Sequence, residues 1–441
     1  MKKLRLGGLT AGLLLACAGH AQTPVTAPAT APAPAITVLK AAHLFDGRSG
    51  SLTSPGLVVV QGSKIIAVGA NAEVPAGAKV IELGEATLVP GYIDAHTHIS
   101  YDHEDDWAQG FYEGMLRFPV EQSFHAGSNA KATLRAGVTT AREVGAGDFV
   151  DVALRNAIEA GLTEGPRMLV AGYAIGSTGG HCDSSPFPPQ RVNPSGPLQG
   201  VCNGPEQCRE ATRLQMKYGA DLIKICASGG VLSESDPVDV PQLTSEELRA
   251  IIGEAHNWNR KVAAHSHGDA AAKLAVEAGV DSIEHGSFLT TPTLQLMKQK
   301  GVYLVPTRMT QVWVLDKADT YPPKIGAKAR AAGASHSAMF KNALKIGTPI
   351  AFGTDAAVYP HGINAQEFGD MVELGMSPSA ALLTSSQGSA KLLGIDKETG
   401  TLEAGKFADI VAVPGDVLQN IRATEKPVLV MKQGVLVKQA E

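Results

Sequence analysis

Between about residue 90 and residue 394, short apolar runs alternate with helical stretches. The runs are predicted to end near His96, Glu143, Val170, Cys226, His267, His285, Pro306 and Gly353. Helical patterns lie between most of them, at 122–136, 151–160, 206–218, 245–257, 268–278 and 291–300. Eight such units predict an α/β fold, a closed (β/α)8 TIM barrel, in which the C-terminal ends of all strands meet at one mouth. A doubly wound sheet is the competing fold, but no glycine-rich phosphate loop follows an early strand to support it. The stretch from Pro306 to about Ala331 is long and reads either as a lid over the mouth or as a loop leading into a helix.

Both flanks of this region have a different character. ITVLKAAHLF, LVVVQG, KIIAVG, KVIELG and ATLV read as short strands with tight turns, and ADIVAV and PVLVM repeat that pattern near the C-terminus. A small composite β-sandwich built from both termini explains the arrangement. The 441 residues suffice for one large domain and a smaller one. The expected division is a leader at 1–21, a Pro/Ala linker at 22–35, sandwich at 36–88, barrel at 89–394 and sandwich again at 395–441. The net charge of -5 is spread along the chain, which excludes a nucleic-acid footprint.

The leader is read from Lys2, Lys3 and Arg5, the apolar run LGGLTAGLLLACA, and small residues at Gly19 and Ala21. This is the pattern of a secretory signal peptide cut after Ala21, and the run is too short to span a membrane comfortably. A rival reading takes Leu14-Leu15-Ala16-Cys17 as a lipoprotein box with Cys17 lipidated. Either reading exports the protein, to the periplasm or the medium. Cys182, Cys202 and Cys208 lie in or beside one Pro/Gly-rich stretch, so one disulfide among them is expected, with free thiols as the alternative. Cys226, within LIKICA, reads as a buried small side chain.

The unusual polar residues fall at the strand ends. His96 and His98 are two apart, which puts both on one face of a strand and within reach of one ion. Lys224 sits among Ile and Leu, where a lysine is costly. It is either an ordinary lysine at the mouth or, once desolvated and carboxylated, an anion that bridges two cations. His265, His285 and Asp355 end three further strands. Any single histidine has a bland reading as a core or surface residue. Six candidates on five strand ends point to a metal centre. Imidazoles and carboxylates favour zinc, with manganese and cobalt left open. Two ions about 3.5 Å apart would share a bridging hydroxide and polarise a carbonyl. Asp355 would then carry the proton from nucleophile to leaving group.

The stretches VPGYIDAHTHIS, GVTTAREVG, LIKICASGG, AAHSHG, GVDSIEHG, FGTDA and GTLEAGKFADIVA together resemble the amidohydrolase superfamily over essentially the whole mature chain. The resemblance implies His96, His98 and Asp355 on the more buried metal, His265 and His285 on the second, and carboxylated Lys224 between them. Within the superfamily the chain is similar to imidazolonepropionase-related Xaa-Pro dipeptidases and carboxypeptidases, and to enzymes that hydrolyse the amide of ochratoxin A. Deaminases and imidazolonepropionases usually hold one metal without the lysine, so Lys224 argues against them. The resemblance therefore implies hydrolysis of a small dipeptide or N-acyl amino acid, with a lactonase or esterase as the alternative. It also implies a homo-oligomer, with dimers, tetramers and octamers all known in the family.

For substrate recognition, His181 is expected to donate to the developing oxyanion, with a plain loop histidine as the alternative. Arg308 and His361 are candidate clamps for a substrate carboxylate, or else solvated surface groups. Gly229-Gly230 would let a substrate approach the backbone closely.

Overall fold

A computed structural model describes residues 35–183, 190–234 and 236–439. The expected leader, 1–21 with Cys17, and residues 22–34 of the expected linker lie outside them. No helix among the described residues is long and apolar enough to cross a membrane.

Strands from both termini share one sheet. Ile410–Pro414 pairs antiparallel with Ala86–Pro90, in the register Ile410↔Pro90 to Pro414↔Ala86. Leu429–Lys432 and Val435–Gln439 extend that sheet on one side, and His43–Phe45 and Leu52–Thr53 on the other. A second sheet, in the order Lys64–Val68, Gly56–Gln61, Ile36–Ala41, Lys79–Glu82, completes the small domain. The apolar run 410–413 is buried on both faces, and its two-residue period explains how. Ile410 and Ala412 pack with Leu39, Val58 and Leu88 inside the sandwich. Val411 and Val413 pack into the larger core shared with the barrel.

The barrel strands, one to seven, are Tyr92–Thr97, Val138–Glu143, Arg167–Val170, Leu222–Cys226, Lys261–Ser266, Ser282–His285 and Tyr303–Val305. Neighbours pair in parallel from one to three and from four to seven. Strands three and four are joined by single bonds, Asp221 N–H to Val170 O at 2.7 Å and Ile175 N–H to Lys224 O at 2.8 Å. The eighth strand expected before Gly353 is not a regular strand. Residues 349–356 nonetheless close the ring. Leu304 N–H donates to Pro349 O at 2.8 Å and Ala351 N–H to Leu304 O at 3.0 Å, while Ala95 N–H reaches Phe352 O at 2.8 Å on the other side. Pro349 supplies no N–H, and Asp355 turns the chain at a φ of 61°, so the ladder is interrupted at both ends.

The helices at Ser245–Asn257 and Thr291–Lys300 have the bounds expected from sequence. The first begins where Thr244 and Glu247 form a reciprocal capping box, and it buries Leu248, Ile251, Ile252 and Ala255. The stretch after strand seven is not a loop but the helix Arg308–Asp316, followed by Pro323–Ile346, and Thr310, Gln311 and Val314 of the first line the cavity at the barrel mouth. Glu367 stabilises its start by accepting from the N–H groups of Arg308 and Met309 at 2.8 and 2.6 Å.

The four described cysteines form two disulfides, which excludes the free-thiol alternative for Cys182, Cys202 and Cys208. Cys202–Cys208 lies within the expected stretch, and Cys182–Cys226 corrects the reading of Cys226 as a plain buried side chain. Two intramolecular disulfides indicate an oxidising environment.

Gly353 is the tightest point of the closure: a Cβ there would lie 2.3 Å from Val305 Cγ1 and 3.0 Å from His96 N. Gly353→Ala is expected to cost about 1–3 kcal/mol, read as a lowered urea midpoint. Unchanged stability would contradict this account of the ring.

Candidate metal centre

His96 lies fully buried on strand one, and its Nδ1 donates to Glu284 Oε2 at 2.7 Å. In a neutral ring that leaves Nε2 as a lone pair, and the atom is buried without a hydrogen-bond partner among the described residues. His98, just past the strand, donates through Nδ1 to Gly145 O at 3.2 Å, so its Nε2 is bare too. Both Nε2 atoms point at one carboxylate oxygen: Asp355 Oδ1 stands 3.3 Å from His96 Nε2 and 3.4 Å from His98 Nε2.

Strands five and six supply a second group. His265 gives its Nε2 proton to Gly229 O at 3.1 Å, freeing Nδ1. The His267 ring stacks on the His285 ring at 5.0 Å and 13°, and the His265 ring lies 4.7 Å from that of His285. His265, His267 and His285 present ligand atoms within 4.8 Å of one another, and so do His96, His285 and Asp355. His285 thus stands between the two clusters.

The protonation states fit a cation. Burial keeps the histidines neutral: His98 is pushed down to about 4 and His267 to about 3, and His265 and His285 lie well below their usual value. Burial alone would raise Asp355, but His96, His98 and Lys224 outweigh it and hold its carboxyl below the usual range. The bare His98 lone pair therefore faces the Asp355 carboxylate with no proton between them. A divalent ion would be held by such a set, and the two clusters make the centre binuclear.

The backbone is bent to achieve this. His285, Thr307 and Asp355, at the ends of three successive strand segments, have φ values of 68°, 46° and 61°. Left-handed conformations at non-glycine residues cost roughly 1–3 kcal/mol each and cluster at functional sites. Thr307 Oγ1 is 2.8 Å from His285 Nδ1 and steers that ring.

A buried polar layer lies beneath. Besides His96, Glu284 binds Arg142 Nη2 at 2.9 Å and Ser282 Oγ. Arg142, fully buried, also donates to Ala95 O and to Ser282 Oγ at 3.1 Å. Burial opposes ionisation of Glu284, but Arg142 and His96 prevail and lower its pKa to about 2. Asp94 accepts from Thr354 Oγ1 at 2.6 Å and Asn364 Nδ2 at 2.9 Å, fixing the segment that carries Asp355.

His96, His98, Lys224, His265, His285 and Asp355, the six residues singled out from sequence, all line one cavity of about 460 Å³, together with His181, His267 and Tyr101. The Lys224 ammonium forms no ion pair within 4 Å among the described residues, and burial lowers its pKa to about 8. Two candidate clamps lie elsewhere. Arg308 sits at a helix N-terminus against Glu367, and His361 donates to Tyr101 O at 2.8 Å; neither lines the cavity. The close approach expected at Gly230 exists, but His181 occupies it: a Cβ there would lie 2.1 Å from His181 Cε1. Sequence reasoning left out His267, Glu284, Arg142 and Asp94. For Asp94, Arg142 and Glu284 the one signal was a charged side chain inside a strand buried from end to end.

Comparison with known proteins agrees with this geometry. The model of the amidohydrolase family matches residues 87–437. The chain is 33% identical to the ochratoxinase of Aspergillus niger over 414 residues, covering 89% of this chain and 84% of that one. The crystal structure of A. niger ochratoxinase superposes with a TM-score of 0.82 at 30% identity, over 92% of this chain and 96% of the other. A Xaa-Pro dipeptidase with methionine bound in its active site superposes with a TM-score of 0.88 at 36% identity, over 91% of this chain and 99% of the other.

Glu284→Gln is expected to weaken metal binding about 10–100-fold in a chelator competition, because the His96 ring loses its anionic anchor. Glu284→Ala should also destabilise the fold by about 3–5 kcal/mol by leaving Arg142 uncompensated. Unaltered metal affinity in Glu284→Gln would refute the anchoring role.

Proposed function

The chain belongs to the amidohydrolase family, and we propose that it releases a C-terminal amino acid from small peptidyl or N-acyl amino acid substrates. The observation that carries this reading is the pair of bare Nε2 atoms, on His96 and His98, converging on Asp355 Oδ1 beside the cluster of His265, His267 and His285. His96, His98 and Asp355 would hold one ion, and His265 and His285 the other. Zinc suits this nitrogen and oxygen donor set. When bound, two such cations would polarise the scissile carbonyl and make water acidic enough to act as a nucleophile near neutral pH.

Lys224 is proposed to join the ions after carboxylation. Its burial, its lowered pKa and its place in the cavity wall support this, because an amine with a depressed pKa is the form that reacts with carbon dioxide. The Asp355 carboxylate would take the proton from the attacking water and deliver it to the departing amine. His181 in the wall would contact the substrate beside the reacting bond. The names of the similar proteins, a Xaa-Pro dipeptidase and an ochratoxinase, support a substrate with an amide-linked amino acid. The two disulfides and the basic-apolar N-terminus support export to the periplasm or medium.

A panel of Xaa-Pro dipeptides, N-acyl amino acids, ochratoxin A and lactones tests the reaction class. Amide turnover is expected; lactone turnover alone would overturn the proposal. Chelation should abolish activity and zinc should restore it. Lys224→Ala is expected to bind fewer than two equivalents of metal by elemental analysis and to lose most activity. Full activity in that variant would refute the bridge.

A further inference from the structure

His181 is held from every side. Its ring lies flat against Gly230 and over the His265 ring at 4.4 Å and 32°. Its backbone N–H donates to Gln242 Oε1 at 2.9 Å. The next residue, Cys182, is bonded to Cys226 on strand four, two positions beyond Lys224. Nδ1 of the ring is 3.2 Å from Ser233 Oγ.

The Ser233 hydroxyl has one proton to give. It contacts Asp236 Oδ1 and lies 3.2 Å from Gly230 O, both of which only accept. Asp236 Oδ2 accepts from Gln242 Nε2 at 2.8 Å and Gly230 N–H at 3.0 Å. Burial works against ionisation of Asp236, but Ser233, Gln242 and Gly230 outweigh it and hold its carboxyl below the usual range. The Ser233 proton therefore turns away from His181, and Oγ must accept from Nδ1–H. A neutral imidazole has one donor and one acceptor, so Nε2 is bare. Lys328, on the helix Pro323–Ile346, fixes the same loop by donating to the carbonyl oxygens of Gly230 at 2.6 Å, Ser233, and Asp236 at 3.0 Å.

We propose that Ser233 and Asp236 are positioning residues that keep His181 in its Nδ1–H tautomer, so that Nε2 accepts a hydrogen bond from the N–H of a secondary amide substrate. This rests on the reading of the cavity as an amide-hydrolysing site. It gives His181 an acceptor's role in place of the oxyanion donor expected from sequence. It also predicts discrimination against amides that lack a hydrogen on the scissile nitrogen, Xaa-Pro dipeptides among them, so that within the panel the amides of N-acyl amino acids and of ochratoxin A are the favoured substrates.

The metal-loaded enzyme is assayed on N-benzoyl-L-phenylalanine and its N-methyl counterpart, whose only difference is that hydrogen. Wild type should prefer the N–H probe on the order of tenfold in kcat/KM beyond the preference shown by Ser233→Ala, the worth of one hydrogen bond. Ser233→Ala should lose rate on the N–H probe and stay within about twofold on the N-methyl probe, with Ser233→Thr restoring the preference. A Ser233→Ala variant that slows both probes equally would overturn the proposal. A second readout needs no turnover. In histidine-labelled protein, with His181 assigned from the spectrum of His181→Gln, nitrogen NMR should show the proton on Nδ1 in wild type. That preference should be lost in Asp236→Asn. A proton on Nε2 in wild type would refute the tautomer directly. If wild type cleaves neither probe nor any amide of the panel, the amidase reading fails, while the NMR result still decides the tautomer.

Discussion

Glu284 accepts from side chains of three barrel strands at once: His96 on strand one, Arg142 on strand two and Ser282 on its own strand six. A carboxylate and a guanidinium buried this deeply are tolerable only because each is matched to the other and to further hydrogen bonds. The pair does more than neutralise itself. By taking the His96 Nδ1 proton, Glu284 dictates that Nε2 be bare, and Arg142 pins the strand-one carbonyl of Ala95 next door. The geometry at the mouth is inherited from this layer.

The same logic repeats upward. His98, His265 and His96 each spend one ring nitrogen on a protein acceptor and keep the other free. Burial denies His98 and His265 a proton from water, so their lone pairs are available near neutral pH. What would be repulsive in an ordinary core, lone pairs around a carboxylate, becomes favourable when divalent charge is present. The left-handed turns at His285, Thr307 and Asp355 store strain that the closed ring of strands can hold, since bonds to neighbouring strands flank two of them: Asp355 N–H donates to His96 O at 2.7 Å, and Gly286 N–H to Ser266 O at 3.0 Å.

Around the rigid mouth, specificity belongs to the loops. The Cys182–Cys226 bond ties the loop after strand three to strand four, and Lys328 ties the loop after strand four to a helix that follows strand seven. Three segments far apart in the chain thus converge on one imidazole, that of His181. A wall built this way is preorganised, which limits the entropy the protein must surrender when a substrate binds.

The barrel, the composite sandwich and the convergence of six metal-site candidates were legible in the sequence. They follow from local patterns: two-residue and helical periodicity, and polar residues at the ends of apolar runs. Two helices kept their expected bounds because a capping box or flanking turn residues marked them locally. Other features had no local signal. The eighth segment reads as a strand by composition, yet it pairs irregularly because its neighbours on both sides dictate where it can bond. Cys226 reads as one more apolar residue, and only the fold brings Cys182 to 5.8 Å from it, Cα to Cα. Arg308 and His361 follow their strands as a clamp would, but the Arg308 backbone N–H is held by Glu367 at a helix start with its side chain outside the cavity wall, and a carbonyl of Tyr101 captures His361. Sequence alone therefore determined the alternating plan of the barrel, the composite sandwich and which polar residues stand at the strand ends. The tertiary structure decided which nitrogen of each histidine is free and which loops reach the cavity, because those depend on hydrogen-bond partners tens to hundreds of residues away.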